Sequence, residues 1–279
     1  MSSYLRPHSL GEALAALTAA RFTVLAGGTD FYPARVGKPI DDDILDISGI
    51  AGLRGIRDCG DHWRIGAATT WSDIAASALP PLFDGLRAAA RQVGGTQIQN
   101  TGTLGGNLCN ASPAADGVPP LLALGARVET ADAAGTRSAA LSGFILGNRK
   151  TALRPGQLLT ALLVPKPAHA ARSHFLKLGA REYLVVSIAM AAATLEVDSG
   201  RICAARIAVG ACSPVAMRLP LAEAALLDKP CNASLGEHLH ADHLSALSPI
   251  DDVRASGAYR REAALTLAKR VLNQLGARS

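Results

Sequence analysis

The chain has 279 residues, 49% of them hydrophobic, and a net charge of +5 from 28 basic against 23 acidic side chains. That is apolar mass enough for two domains with cores of their own, and no run approaches the ~18 apolar residues a membrane-spanning helix requires. The basic residues form no block and aromatics make up only 4%, which disfavours a nucleic-acid surface, where a basic stripe interleaved with stacking rings is needed.

The first residues, Met1-Ser2-Ser3-Tyr4-Leu5-Arg6-Pro7, lack the apolar stretch of a secretion signal, so the expected location is cytoplasmic. Cys59, Cys109, Cys203, Cys212 and Cys231 are odd in number and form no C-x-x-C, which argues against a disulfide framework and against a zinc or iron–sulfur site within this chain.

Apolar residues at helical spacing predict a helix over 10–20, with Ser9 as N-cap and Glu12 completing a capping box. A strand at 22–26 then breaks into Gly27-Gly28-Thr29-Asp30. Residues 31–36 read as a short helix whose N-terminus would face an anion. Asp41, Asp42 and Asp43 follow Pro39 and read as a solvated turn before a strand at 44–47. Two short strands, 54–57 and 62–67, flank the Cys59-Gly60-Asp61 turn, and Thr70 with Asp73 opens the next helix. Another helix is expected over 82–93.

Residues 97–124 carry Gly102, Gly105, Gly106 and Gly117 among hydroxyl and amide side chains, ahead of an apolar helix-like piece at 119–124. Glycines at this density let a ligand approach the main chain closely while the polar side chains supply donors, so the run reads as a phosphate-cradling loop rather than as core. Together with the Gly27-Gly28 segment it implies a ligand with two phosphates. Neither segment is a G-x-x-x-x-G-K-[ST] loop or a G-x-G-x-x-G turn after a strand, which sets aside the ordinary kinase, ATPase and Rossmann readings.

Beyond it, 126–130 and 135–139 predict a hairpin and 157–164 a strand. Pro165-Lys166-Pro167 stiffens the chain and marks a domain boundary, giving domains 1–166 (parts of roughly 1–55 and 56–166) and 167–279. Strands at 187–197 and 202–211 flank the Asp198-Ser199-Gly200 turn. Helices are expected at 219–227, 235–247 and 259–275. Glu237, His238, His240 and His243 are close in sequence without forming H-E-x-x-H, and read as a His-rich surface helix; Arg260-Arg261 and Lys269-Arg270 read as solvated helix faces.

The pair LAGGTDF and QIQNTGTLGGNLCNASPAAD, in that order, resembles the FAD-binding medium subunit of the molybdenum hydroxylases, the family that includes xanthine dehydrogenase, carbon monoxide dehydrogenase and 4-hydroxybenzoyl-CoA reductase. The likeness continues through 175–182, the region up to Gly210-Ala211-Cys212-Ser213-Pro214 and the Tyr259-Arg260-Arg261 helix, and so covers nearly the whole chain. The cysteine-rich insertion of the benzoyl-CoA reductase branch is missing.

The resemblance implies an α+β fold: a two-part FAD-binding domain of the vanillyl-alcohol-oxidase (PCMH) type, then a smaller α+β domain with a three-stranded sheet and helices. It implies FAD in this chain, with 2Fe–2S clusters and a molybdopterin cofactor in a small and a large partner subunit, as a dimer of heterotrimers. By resemblance Val24, Leu25, Ala26, Gly27, Gly28, Thr29, Asp30 and Phe31, with Thr103, Leu104, Gly105, Gly106 and Asn107, wrap the diphosphate, and Thr101 is a further cofactor-binding candidate. Asp116 matches a position that accepts hydrogen bonds from sugar or ribityl hydroxyls, and Val93 and Leu159 match apolar positions beside the rings. Lys177 matches a lysine near the flavin, where a positive charge favours the reduced, anionic form, and Tyr183 falls in a loop that controls acceptor entry. The chain departs from the family where arginines flank the central segment: it has Gln99 and Thr101.

No nucleophile elbow and no Cys–His pairing stands out, so the redox chemistry implied is the flavin's. The expected role is an electron-transfer oxidoreductase subunit that passes electrons from partner clusters through FAD to NAD, a quinone or oxygen. A self-sufficient FAD-dependent oxidoreductase and a flavin-free scaffold subunit remain open beside it.

Overall fold

The computed structural model describes residues 2–182 and 184–278. Strand β1 (Tyr4–Leu5), helix α1 (Leu10–Ala19), β2 (Thr23–Leu25) and β3 (Ile44–Asp46) form the first lobe, a parallel sheet in the order β1-β3-β2. Parallel neighbours need a crossover, and α1 supplies one, burying Ala13 against Leu45, Ile47, Ile50 and Leu53. Ser9 caps α1 by accepting the Glu12 N–H at 3.2 Å, but the Glu12 carboxylate takes the His8 N–H at 3.0 Å instead of closing the box on Ser9. Within the acidic turn Asp42 accepts from Arg35 and Thr23, and Asp43 from Ser3, so two of the three carboxylates tie the lobe together.

The second lobe begins with β4 (Ile56–Asp58) and β5 (His62–Gly66). It runs through α2 (Trp71–Ala76), α3 (Asp84–Ala90), α4 (Thr96–Thr101), α5 (Leu104–Asn110) and α6 (Val118–Ala123). Then come β6 (Arg127–Asp132), β7 (Gly135–Ala140), a small hairpin of β8 (Ile145–Gly147) and β9 (Lys150–Thr151), and β10 (Leu158–Pro165). The main sheet is antiparallel, ordered β4-β5-β10-β6-β7.

At α2 the predicted box closes in both directions: Thr70 Oγ1 accepts the Asp73 N–H at 3.2 Å, and Asp73 accepts the Thr70 N–H at 3.0 Å. Arg54 forks onto the same carboxylate at 2.8 and 2.9 Å. A Thr70→Ala chain should lose about 1 kcal/mol of stability, read from its urea midpoint, whereas a midpoint unchanged from wild type would deny the cap any weight.

Three expected segments take a different form. Residues 97–118, read as a turn-rich run that builds no core ahead of the helix-like piece at 119–124, are mostly helical, and Leu104, Leu108, Ala115 and Val118 join Trp71, Phe83 and Leu86 in the main core; the piece at 119–124 falls on α6, as expected. Leu104 and Leu108 stand four apart and make a helical stripe that the surrounding glycines hide. Residues 31–36 shrink to one 3-10 turn, Pro33–Arg35, which Gly37 ends at φ +74°. Residues 235–247 hold two 3-10 turns, Leu235–His238 and Ala241–Leu244, broken by extended Leu239 and His240. His238, His240 and His243 therefore share no helix face, and His243 Nδ1 accepts the His240 N–H at 3.1 Å.

The third lobe has three long antiparallel strands, β11 (Ala170–Leu178), β12 (Ala189–Asp198) and β13 (Arg201–Gly210), with a two-residue edge strand β14 (Met217–Arg218). Helices α7 (Pro220–Ala224) and α8 (Gly257–Gly276) complete it. Alanine-rich β12 alternates with period two: Ala189, Ala191, Ala193 and Leu195 pack on Ala264, Leu267 and Val271 of α8, while Met190 and Ala192 meet Ala89 of α3 and Ala123 of α6. Both faces are covered, and small side chains let a helix close on each. Arg260, expected on a solvated face, is instead buried at 3% exposure; it pairs with Asp252 at 2.7 Å and donates to the Ile188 carbonyl at 2.6 Å, pinning α8 to the start of β12.

Candidate functional site

The two glycine segments meet. Gly27, which ends β2, presses on the exit of α4: a Cβ there would lie 1.9 Å from the Thr101 carbonyl oxygen and 2.9 Å from Gly102 Cα. Gly28 turns the chain at φ +70°, with the Tyr32 ring against the space a side chain would take. The Tyr32 N–H donates to the Gly28 carbonyl at 3.1 Å, closing one turn. Among the described residues, the N–H groups of Gly27, Gly28, Thr29 and Asp30 donate to no acceptor.

The other segment is satisfied from within. Leu104 N–H goes to Thr69 O at 2.9 Å, Gly105 N–H to Ala67 O at 2.7 Å, Gly106 N–H to Thr103 Oγ1 at 3.0 Å and Asn107 N–H to Thr103 O at 3.0 Å. Gly105 is small for packing, since a Cβ there would meet Ala67 at 2.7 Å.

Both segments wall one cleft of about 550 Å³, within the range of small-molecule and cofactor sites. Of the residues singled out in the sequence, Val24, Leu25, Ala26, Gly27, Gly28, Thr29, Asp30, Phe31, Val93, Thr103, Gly105, Gly106, Asn107 and Leu159 line it. Thr101, Leu104, Asp116 and Lys177 do not, and Tyr183 lies outside the described residues. Thr101 contributes its carbonyl to the Gly27 contact, and Leu104 is fully buried.

Asn107 Oδ1 is buried with no hydrogen-bond partner among the described residues, beside Gly117, where a Cβ would approach it to 2.9 Å. A buried acceptor left without a donor is uncommon and points to a missing partner.

Next to Gly117, Asp116 pairs with Lys177 of β11 at 2.6 Å and accepts from Ser187 at 2.6 Å; Lys177 also donates to the Gln92 carbonyl at 3.2 Å. Their side chains are only 10% and 4% exposed. Burial pushes the Asp116 carboxyl above its ordinary range, opposed by the ammonium and the Ser187 hydroxyl. Lys177 is thus no free positive charge, and neither member of the pair lines the cleft, though Gln92, whose carbonyl Lys177 holds, precedes Val93 on its wall.

Sequence reasoning missed Trp71, Ile98, Cys109, Asn110, Arg149 and Gln157, which also line the cleft. Ile98 carried an apolar signal within a segment taken for loop. Arg149 lies on a hairpin too short to show strand periodicity.

A cleft between lobes, walled by unpaired main-chain donors and apolar side chains, is the architecture of a cofactor-binding protein. The sequence matches the family described as FAD binding domain in molybdopterin dehydrogenase over residues 1–167, and the CO dehydrogenase flavoprotein C-terminal domain over 174–275. The chain belongs to this family, as an FAD-binding medium subunit of the xanthine and CO dehydrogenase type. The xanthine dehydrogenase FAD-binding subunit of Escherichia coli O157:H7 is 31% identical over 279 residues, spanning 98% of this chain and 95% of that one. The glyceraldehyde dehydrogenase medium chain of Sulfolobus acidocaldarius is 30% identical over 283 residues, spanning 98% of each. Reconstituted CO dehydrogenase from Oligotropha carboxidovorans superposes with a TM-score of 0.90 at 27% identity, over 100% of this chain and 99% of that one. No helix among the described residues is long and apolar enough to cross a membrane.

Proposed function

We propose that this chain holds FAD in the cleft between its first two lobes and serves as the electron-transfer subunit of a molybdenum hydroxylase. The observation that carries the reading is the convergence of Gly27 on Thr101 and Gly102, which brings the two glycine segments to one site. The residues present fit the cofactor. The N–H groups of residues 27–30 are donors without acceptors, suited to a diphosphate, and the orphaned Asn107 Oδ1 is an acceptor suited to a ligand hydroxyl or N–H. Asp30, exposed on the cleft wall, offers a carboxylate to sugar hydroxyls. Val24, Phe31, Val93 and Ile98 supply apolar surface for rings, and the Asp116–Lys177 pair ties β11 to the Gln92 carbonyl, one residue before Val93.

When bound, FAD supplies the electron exchange that links clusters in a partner subunit to an external acceptor such as NAD, a quinone or oxygen. That the Sulfolobus relative is a medium chain supports an assembly with a small 2Fe–2S subunit and a large molybdopterin subunit, taken here as a dimer of heterotrimers. The break between β10, ending at Pro165, and β11, starting at Ala170, supports domains of 1–166 and 167–279.

Titration of flavin-free protein with FAD tests the reading. One equivalent bound, with quenching of flavin fluorescence, is expected; a protein that stays colourless in excess FAD would leave only a scaffold role. Oxidation of a small substrate by the yellow chain alone would replace electron transfer with a self-sufficient enzyme.

A further inference from the structure

Among the described residues two cations line the cleft, Arg35 and Arg149, and they differ in what they are free to do. Arg35 is committed: its guanidinium lies 3.8 Å from the centre of the Phe31 ring and pairs with Asp42 at 2.8 Å. Arg149 is not. On the turn between β8 and β9, its guanidinium makes no hydrogen bond or ion pair with any described residue, and it borders the same wall as Gly106, Asn107, Cys109 and Asn110.

The backbone that presents it is strained. Arg149 has φ +58°, a left-handed conformation that a non-glycine residue adopts at a cost and keeps only where surrounding structure enforces it. The enforcing contact is a hydrogen bond of 3.1 Å from the Arg149 N–H to the carbonyl of Ala111, itself left-handed at φ +49° where α5 ends. The end of α5 thus holds the hairpin tip against the cleft.

The polar side chains at positions 99 and 101, which flank the second glycine segment, contribute no charge. Gln99 spends its amide on the Arg91 carbonyl at 3.0 Å, and Thr101 its hydroxyl on the Gln97 carbonyl at 2.9 Å. A diphosphate held by neutral amides alone, with Asp30 on the same wall, lacks a countercharge.

We propose that Arg149 supplies it, as the cationic contact for the ligand's diphosphate, an assignment that rests on the FAD reading above. A guanidinium suits this task because its planar fork can donate two hydrogen bonds to phosphate oxygens and keeps its charge at any working pH.

The test is titration of flavin-free wild type, Arg149→Gln, Arg149→Lys and Lys150→Gln with FAD at several salt concentrations. Lys150 is the adjacent exposed cation that does not line the cleft. Arg149→Gln should weaken FAD about 10- to 100-fold, the loss of one or two charge-assisted hydrogen bonds, and flatten the salt dependence. Arg149→Lys should restore the salt dependence but only part of the affinity, since it returns the charge without the fork, Lys150→Gln should match wild type, and all four should melt alike. Equal affinity in Arg149→Gln and wild type overturns the proposal. So does an Arg149→Lys chain as weak as Arg149→Gln with unaltered salt dependence, which would mark stacking on a ring. A wild type that binds no FAD defeats the underlying reading instead.

Discussion

A Gly27→Ala chain is expected to lose FAD retention and thermal stability together. The φ of Gly27 is outside the left-handed region, so alanine is acceptable to the local backbone and its single methyl group is the whole perturbation. That methyl would overlap main-chain atoms, 1.9 Å from the Thr101 oxygen and 2.6 Å from its carbon. No rotamer relieves a clash with backbone, so the first lobe must move off the α4–α5 junction. Overpacking of this kind costs about 1–3 kcal/mol. A displacement near 1 Å between the two walls should weaken FAD by about 100-fold, or roughly 2.7 kcal/mol. Gly11→Ala, in α1 with nothing within 4 Å of the added carbon, is the control and should be neutral or mildly stabilising. Full FAD occupancy in Gly27→Ala would mean that the contact between the lobes does not shape the site.

The second large effect is expected from Lys177→Met. It strands the Asp116 carboxylate in a site where the pair is 10% and 4% exposed, leaving Ser187 as its one side-chain donor among the described residues. Breaking one side of a buried pair typically costs about 3–5 kcal/mol. The sign of the pH dependence follows from burial, which already raises the Asp116 pKa above its ordinary 3.8 against the opposing ammonium. Without the lysine it rises further, so the folded variant binds a proton more tightly than the unfolded chain does. The deficit should therefore be widest at neutral pH and narrow as pH falls through the raised folded-state value. Denaturant midpoints of wild type and variant at about pH 7.5 and about pH 5 measure this. The double variant Lys177→Met/Asp116→Leu should regain more than half of the loss, because no buried charge is left unpaired. A small deficit independent of pH would show that the pair is solvated.

The two glycine segments, the hairpin at Asp198-Ser199-Gly200 and the Thr70 cap were legible because each is a local pattern with a local cause. Ser199 and Gly200 adopt φ +49° and +75°, the two positive angles that a tight hairpin requires. The helices α4 and α5 were not legible, because Gly102, Gly105 and Gly106 signal turns in sequence while Gly105 is small in order to fit against Ala67. What the side chains of the site pair with was hidden for another reason. Lys177 reaches Asp116 across 61 positions and Gln92 across 85, separations that carry no periodic signal. The same holds for Arg260, whose burial depends on Ile188 and Ala211 lying far upstream. Lys177 and Asp116 were singled out by resemblance alone, and the structure gives them to each other.

The distinction between the two glycine segments bears on how the ligand is held. Among the described residues the N–H groups of the first meet no acceptor, whereas those of the second are used by Thr69, Ala67 and Thr103. Anion binding should fall mainly to residues 27–30, with Thr103–Asn107 contributing shape and the Asn107 carboxamide.

A structure of the FAD-loaded protein tests the central claim most directly. The account predicts phosphate oxygens within hydrogen-bonding distance of the N–H groups of residues 28–30, with Gly27 still seated on Thr101 and Asn107 Oδ1 now paired. A flavin bound elsewhere, or a diphosphate contacting neither glycine segment, would contradict it.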